Sequence, residues 1–222
     1  MLLIIFAAVI LSLRFRLFPF FYSDLSSAEY WAMASVTGAG IALSVIAHEA
    51  VHLFVAWRLG ETPHGVLLYL FGNGTPPARA TETRAKSASL YLSGIGTSLL
   101  LSAVLVGLAY ISAKLFDTVF PIRVLFHLAA FNTTLAVFQL LPVLPLDGGR
   151  FLLRALSRGG AVEPRVFTAF YFLGLALSLA MAVAGAYQIF KGRPVLGAWI
   201  VAVGLLLLRA NVEEQMWVYR NR

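Results

Sequence analysis

Six stretches of mostly apolar residues organise the chain, separated by short segments rich in charge, Gly or Pro. A helix needs about 20 such residues to cross a bilayer, and the stretches at 1–13, 29–59, 88–113, 119–141, 166–190 and 195–208 are read as spans. The first is short and ends at Arg14 and Arg16. A signal peptide is its competing reading, but it lacks a basic leading region and a clear small-residue cleavage site. Between the second and third spans, residues 65–71 form a seven-residue apolar run bounded by Gly72-Asn73-Gly74 and Pro76-Pro77. It is too short to span and reads as a membrane-associated β-strand or hairpin, with a re-entrant element as the alternative. Irregular backbone at membrane depth is tolerated only against protein or a cavity, so this piece is expected at a cavity mouth. The pattern predicts an all-α polytopic membrane protein of about six transmembrane helices, with that strand inserted after the second.

Composition agrees with the pattern. Hydrophobic residues make up 60% of the 222 and charged residues 12%, with a mean hydropathy of +0.84. Soluble domains carry about 25% charge, so a soluble enzyme, a coiled coil and a disordered chain are excluded. The formal charge of +7 is read as a topology signal and not as a nucleic-acid footprint, because no basic helix or aromatic RNA-binding motif accompanies it. With the N-terminus in the cytoplasm, the inner segments hold Arg58, Arg79, Arg84, Lys86, Arg150, Arg154, Arg158, Arg165, Arg209, Arg220 and Arg222. The outer ones hold Arg14, Arg16, Lys114, Arg123, Lys191 and Arg193. The positive-inside rule therefore favours cytoplasmic termini. There is no cysteine, which excludes disulfides, thiol catalysis and Cys-ligated zinc.

The chemistry centres on His48-Glu49-Ala50-Val51-His52, inside the second span. Positions i and i+4 share a helix face, so the two imidazoles can converge on one tetrahedral Zn²⁺ while Glu49 stays free to take a proton from water. The bland alternative is a polar packing cluster, but ionisable groups within a span are expensive and mark function by default. A zinc hydrolase needs a third protein ligand and an open fourth position. Asp147 is the leading candidate, in Leu141-Pro142-Val143-Leu144-Pro145-Leu146-Asp147-Gly148-Gly149-Arg150, where two prolines stop the fourth helix and two glycines let the chain turn inward. An ordinary Asp-Gly turn is the competing reading, and His127 is an alternative ligand. His64, beside Pro63, is read as solvated. Ser93, Gly94, Gly96 and Ser98 in the third span are read as helix-packing residues without a functional message.

Together, the His48–His52 motif in a hydrophobic helix and Phe138-Gln139-Leu140-Leu141-Pro142-Val143-Leu144-Pro145-Leu146-Asp147-Gly148-Gly149-Arg150 resemble the site-2 protease family of intramembrane zinc metalloproteases. The resemblance extends over nearly the whole chain and implies one Zn²⁺ per chain on His48, His52 and Asp147, with Glu49 as catalytic base. It also implies a single transmembrane metalloprotease domain over 1–222, a minimal core without PDZ or CBS domains. Three positions depart from the family pattern: Gln139 replaces Asn, Gly94-Ile95 replaces Gly-Pro, and Gly72-Asn73-Gly74 stands where Gly-Gly is common. Gln139, and Asn132 seven residues earlier, are candidate donors to substrate backbone or oxyanion, with interhelical hydrogen bonding the alternative for both. Val66, Leu67, Leu68, Tyr69, Leu70 and Phe71 are candidates to bind an unwound substrate by strand addition.

The expected partners are the lipid bilayer and a membrane-protein substrate with a transmembrane helix, not nucleic acid. The expected location is the plasma membrane of a prokaryote, with the active site nearer the cytoplasmic side. A catalytically silent metal-binding membrane protein and a metal transporter are the rival classes. The transporter is disfavoured because residues 88–113 and 166–190 carry no charge.

Overall fold

The computed structural model describes residues 2–60, 84–115, 118–157 and 163–220, and every regular element among them is a helix. In chain order these are α1 (Leu2–Ser12), a π-helical turn (Leu13–Leu17), α2 (Phe18–Phe21), α3 (Ser27–Arg58), α4 (Arg84–Leu115), α5 (Phe120–Gln139), α6 (Asp147–Leu156), α7 (Pro164–Phe190) and α8 (Pro194–Arg220). The expected strand at Val66–Leu67–Leu68–Tyr69–Leu70–Phe71, and His64, lie outside the described residues.

Six helical stretches among the described residues are long and apolar enough to cross a membrane: Leu3–Phe21, Ser27–Arg58, Lys86–Leu115, Phe120–Gln139, Pro164–Phe190 and Pro194–Met216. Their outer faces are apolar, with Leu3, Phe54, Val183 and Phe190 among many exposed large side chains. Water would penalise that surface and lipid does not, so the chain is an integral membrane protein.

Four expected spans match within a few residues, and two run longer than hydropathy suggested. The first continues through Arg14 and Arg16 to Phe21 because Arg14 is accommodated. Its guanidinium lies against the rings of Phe15, Tyr30 and Trp31 and donates to Ser27 Oγ at 2.9 Å. The last continues past Leu208 because α8 buries Ala210, Asn211 and Glu214 after its apolar run ends. α3 stops where Gly60 takes φ +80°, the left-handed backbone that commonly ends a helix.

The chain divides into two compact units, Met1–Ala47 with Thr97–Leu135, and His48–Gly96 with Ala136–Arg222. The first has a core of Leu13, Phe18, Met33, Ala34, Val124 and Leu128. Gly40 gives its packing its closeness, since a Cβ there would lie 2.6 Å from Leu128 Cδ2. Polar side chains cross the same unit: Ser102 Oγ donates to the Ala129 carbonyl at 3.0 Å and lies 2.7 Å from Thr133 Oγ1.

The second unit buries Ala56, Leu90 and Tyr91 in one cluster, Leu144, Leu153, Phe167 and Phe170 in another, and Val143, Leu146 and Leu207 in a third. In it α7 and α8 form a tight pair. A Cβ on Gly185 would lie 2.7 Å from the Gly197 carbonyl oxygen, and one on Gly197 2.4 Å from that of Gly185.

Candidate metal centre

The second unit contains the last turns of α3, the first half of α4, and α6. α3 places His48 and His52 one turn apart with their rings edge to face, centroids 5.0 Å apart. α6 begins at Asp147, after the Pro142–Pro145 segment has ended α5 and turned the chain. That turn is close: a Cβ on Gly148 would sit 2.4 Å from the Leu140 carbonyl oxygen, and one on Gly149 2.2 Å from that of Val143. Both glycines are therefore required to bring Asp147 to its place.

The three side chains converge. Asp147 Oδ2 lies 3.3 Å from His48 Nε2 and 3.0 Å from His52 Nε2, and the two Nε2 atoms are 3.3 Å apart. All three residues are buried, with exposures of 2%, 5% and 6%. They form the one group of three or more potential ligands among the described residues that could hold a metal ion. Ligand atoms at tetrahedral angles on bonds of about 2.0–2.1 Å sit about 3.3 Å apart, so this triangle fits a zinc-sized ion.

The surroundings fit as well. His52 Nδ1 donates to the Leu90 carbonyl at 2.9 Å, which fixes the ring with Nε2 turned toward the site. Ser93 Oγ donates to the same carbonyl at 2.7 Å and lies 3.4 Å from His52 Nδ1. Gly94 leaves room for both rings: a Cβ there would fall 2.3 Å from His52 Nε2 and 2.6 Å from His48 Nε2. Gly94 thus permits a close helix approach, as expected of a small residue, and the surface approached is the two imidazoles of the candidate site. The reason is local. Only a residue without a side chain lets the α4 backbone lie against two imidazoles.

Burial pushes the Asp147 carboxyl up, but hydrogen bonds to His48 and His52 more than reverse this and hold it well below the usual carboxylate range. Glu49 is half-buried, and its carboxylate feels the charges of His52, His48, Asp147 and Arg150. Gln139 is buried at the end of α5, where its Oε1 accepts from the Asp147 backbone N–H at 3.3 Å.

The other two candidates lie in the first unit. Asn132 Nδ2 donates to Ser44 Oγ, an interhelical bond from α5 to α3, and to the Leu128 carbonyl within α5, both at 2.9 Å. His127 packs edge-on against Phe18, Phe21, Tyr22 and Phe126, and its Nδ1 donates to the Arg123 carbonyl at 2.8 Å. It is not part of the three-residue group. Sequence reasoning also missed the Leu90 carbonyl, and the ion pair of Arg150 with Glu214.

Helices able to cross a membrane, and a buried His–His–Asp triad in the second unit that could hold a metal ion, define an integral membrane protein with a candidate metal site. Comparison with known proteins narrows the class. A model of peptidase family M50 matches residues 106–181, a range that holds the Asp147 motif. Rip3 of Mycobacterium tuberculosis, named as a zinc metalloprotease, is 31% identical over 186 residues, covering 84% of this chain and 47% of that protein. The protein sll0528 of Synechocystis, likewise named, is 27% identical over 210 residues, covering 88% of this chain and 53% of that one. This chain thus spans about half the length of the curated relatives it matches. The solved structure of the site-2 protease from Methanocaldococcus jannaschii matches its fold with a TM-score of 0.65 at 22% identity, over 95% of this chain and 86% of that one. The chain thus resembles peptidase family M50 over residues 106–181 and shares its fold with a site-2 protease.

Proposed function

We propose that residues 1–222 act as one membrane-embedded zinc metalloendopeptidase domain, which hydrolyses peptide bonds within or near transmembrane helices of other membrane proteins. The observation that carries this is the convergence of His48 Nε2, His52 Nε2 and Asp147 Oδ2 to within 3.0–3.3 Å, with Glu49 between the two histidines. The relatives named as zinc metalloproteases support the choice of ion.

His48, His52 and Asp147 are the ligands, at one Zn²⁺ per chain. A zinc ion bound there supplies Lewis-acid polarisation of a peptide carbonyl and acidifies water to a pKa of about 7. Glu49 takes a proton from the attacking water on a side-chain oxygen and returns it to the departing amide nitrogen. Gln139 orients Asp147 through Oε1, and its amide N–H is the donor we assign to the substrate backbone or oxyanion. Asn132 contributes to the first unit through its bond to Ser44.

The substrate helix must unwind before its carbonyl can react, because that carbonyl is hydrogen-bonded within the helix. Val66 to Phe71 then takes the unwound segment by strand addition. Cytoplasmic termini and a site nearer the cytoplasm follow from the charge count. The prokaryotic plasma membrane is supported by the bacterial and archaeal relatives.

Glu49→Gln tests the reading. Purified in detergent and mixed with a panel of single-span membrane proteins, the wild type cleaves at least one. The variant keeps its zinc and loses that cleavage by about 10²–10⁴-fold. A Glu49→Gln protein that cleaves at the wild-type rate contradicts the proton-transfer assignment.

A further inference from the structure

Arg150 stands one turn beyond Asp147 on α6, and Glu214 lies near the end of α8; their exposures are 4% and 5%. They are joined at two points. Arg150 Nε donates to Glu214 Oε1 at 3.3 Å, and Nη2 donates to Oε2 at 3.2 Å. Burying such a pair costs more desolvation than an apolar pair of the same size, so stability alone does not explain it. Ionisable groups inside a membrane protein mark function.

The neighbourhood indicates what the pair serves. The charge of Arg150 acts on Asp147 and Tyr91 as well as on Glu214, and it reaches Glu49. Helix α6 has only ten residues, too few to hold its own register. Its first turn is gripped on one side by Gln139 Oε1 on the Asp147 N–H. The Arg150–Glu214 pair holds the other end of the same turn, at Arg150.

α8 is a firm base for that grip. Asn211, one turn before Glu214, donates to the Tyr171 carbonyl of α7 at 2.9 Å. A Cβ on Gly174 would lie 3.0 Å from Asn211 Nδ2 and 2.2 Å from the Leu144 carbonyl oxygen. Glu214 is therefore presented by a helix pair that is itself in close contact with the Pro142–Pro145 turn.

We propose that Glu214 is a positioning residue of the metal centre, acting through Arg150 to hold the first turn of α6 and with it the Asp147 carboxylate. This rests on the reading of His48, His52 and Asp147 as metal ligands. It makes the last helix part of the site, although no residue of that helix belongs to the ligand group.

The test loads the full chain in detergent with Co²⁺, whose visible absorption reports coordination geometry independently of proteolysis. Arg150→Met/Glu214→Met removes both charges at once and so leaves no buried ion unpaired, which keeps the fold accessible. The variant is expected to unfold near the wild-type temperature while its Co²⁺ affinity falls about tenfold or more and its absorption bands shift. Glu214→Asp, which keeps the charge but withdraws the carboxylate from Arg150, shifts the bands in the same direction and answers the question if the double variant does not fold. Wild-type affinity and spectrum in a folded variant overturn the positioning role alone. A wild type that binds no Co²⁺ overturns the metal reading and this inference with it.

Discussion

Replacing Gly94 with alanine adds one methyl group where α4 faces both ligand imidazoles. Its carbon would lie 2.3 Å from His52 Nε2, 2.6 Å from His48 Nε2 and 2.7 Å from His48 Cε1. Non-bonded heavy atoms rest about 3.5 Å apart, so the overlap is about 1 Å against two rings at once. His52 cannot retreat freely, because its Nδ1 is tied to the Leu90 carbonyl. Ligand distances at a metal site hold to within about 0.2 Å, so a ring displaced by about 1 Å is no longer a ligand.

We therefore expect zinc affinity to fall at least about 100-fold in Gly94→Ala, beyond the 10–100-fold usual for a change behind the ligands. The fold survives, because overpacking costs about 1–3 kcal/mol and alanine regains about 1 kcal/mol of helix propensity over glycine. Gly96→Ala is the control, since nothing lies within 4 Å of a Cβ there. It retains zinc and is neutral or slightly stabilising. Competition with a chromophoric chelator, beside thermal unfolding in the same detergent, measures both. Zinc affinity within twofold of wild type in Gly94→Ala would refute the close approach of α4 to the ligands.

Other expectations follow from the same contacts. Gln139→Leu removes the acceptor from the Asp147 N–H and lowers zinc affinity about tenfold, read by the same competition. Asn132→Leu breaks the bond to Ser44, costs about 1 kcal/mol of stability and leaves zinc affinity unchanged, as paired melting and binding curves will show. Asp147 is held ionised well below the usual carboxylate range, so its stabilising pairing is complete at neutral pH and is lost only as pH falls through that depressed value. Zinc released on mild acidification, followed by dialysis across a pH series, therefore reports protonation of the histidine ligands, which must be neutral to bind. In Asp147→Asn the affinity is lower at every pH.

The meeting of His48, His52 and Asp147 could be read from the sequence because helix geometry alone puts His48 and His52 on one face, and because Pro142, Pro145, Gly148 and Gly149 announce a sharp turn at Asp147. Gly94 could not. A small residue in a membrane helix most often serves packing, and nothing in the chain states that two imidazoles lie opposite. The Leu90 carbonyl is a backbone group and leaves no trace in sequence.

The limits of the first and last spans were misjudged for a single reason. A hydropathy count ends at a charge, whereas Arg14 is taken up by three aromatic rings and Glu214 by Arg150. Ending the last span at Leu208 also hid Glu214, which as an acid in a span would have drawn attention. The three ligands fall in one compact unit and Asn132 in the other, a division that the run of hydrophobic stretches does not reveal.

Zinc content decides whether His48, His52 and Asp147 form a three-ligand zinc site. Wild type and Asp147→Ala are purified in detergent, loaded with zinc, passed over a desalting column and analysed for metal per chain. The structure predicts close to one zinc per wild-type chain, lost or greatly weakened in the variant while both remain folded. Folded wild type without zinc would contradict the site. Full retention of zinc by Asp147→Ala would remove Asp147 from the ligand set.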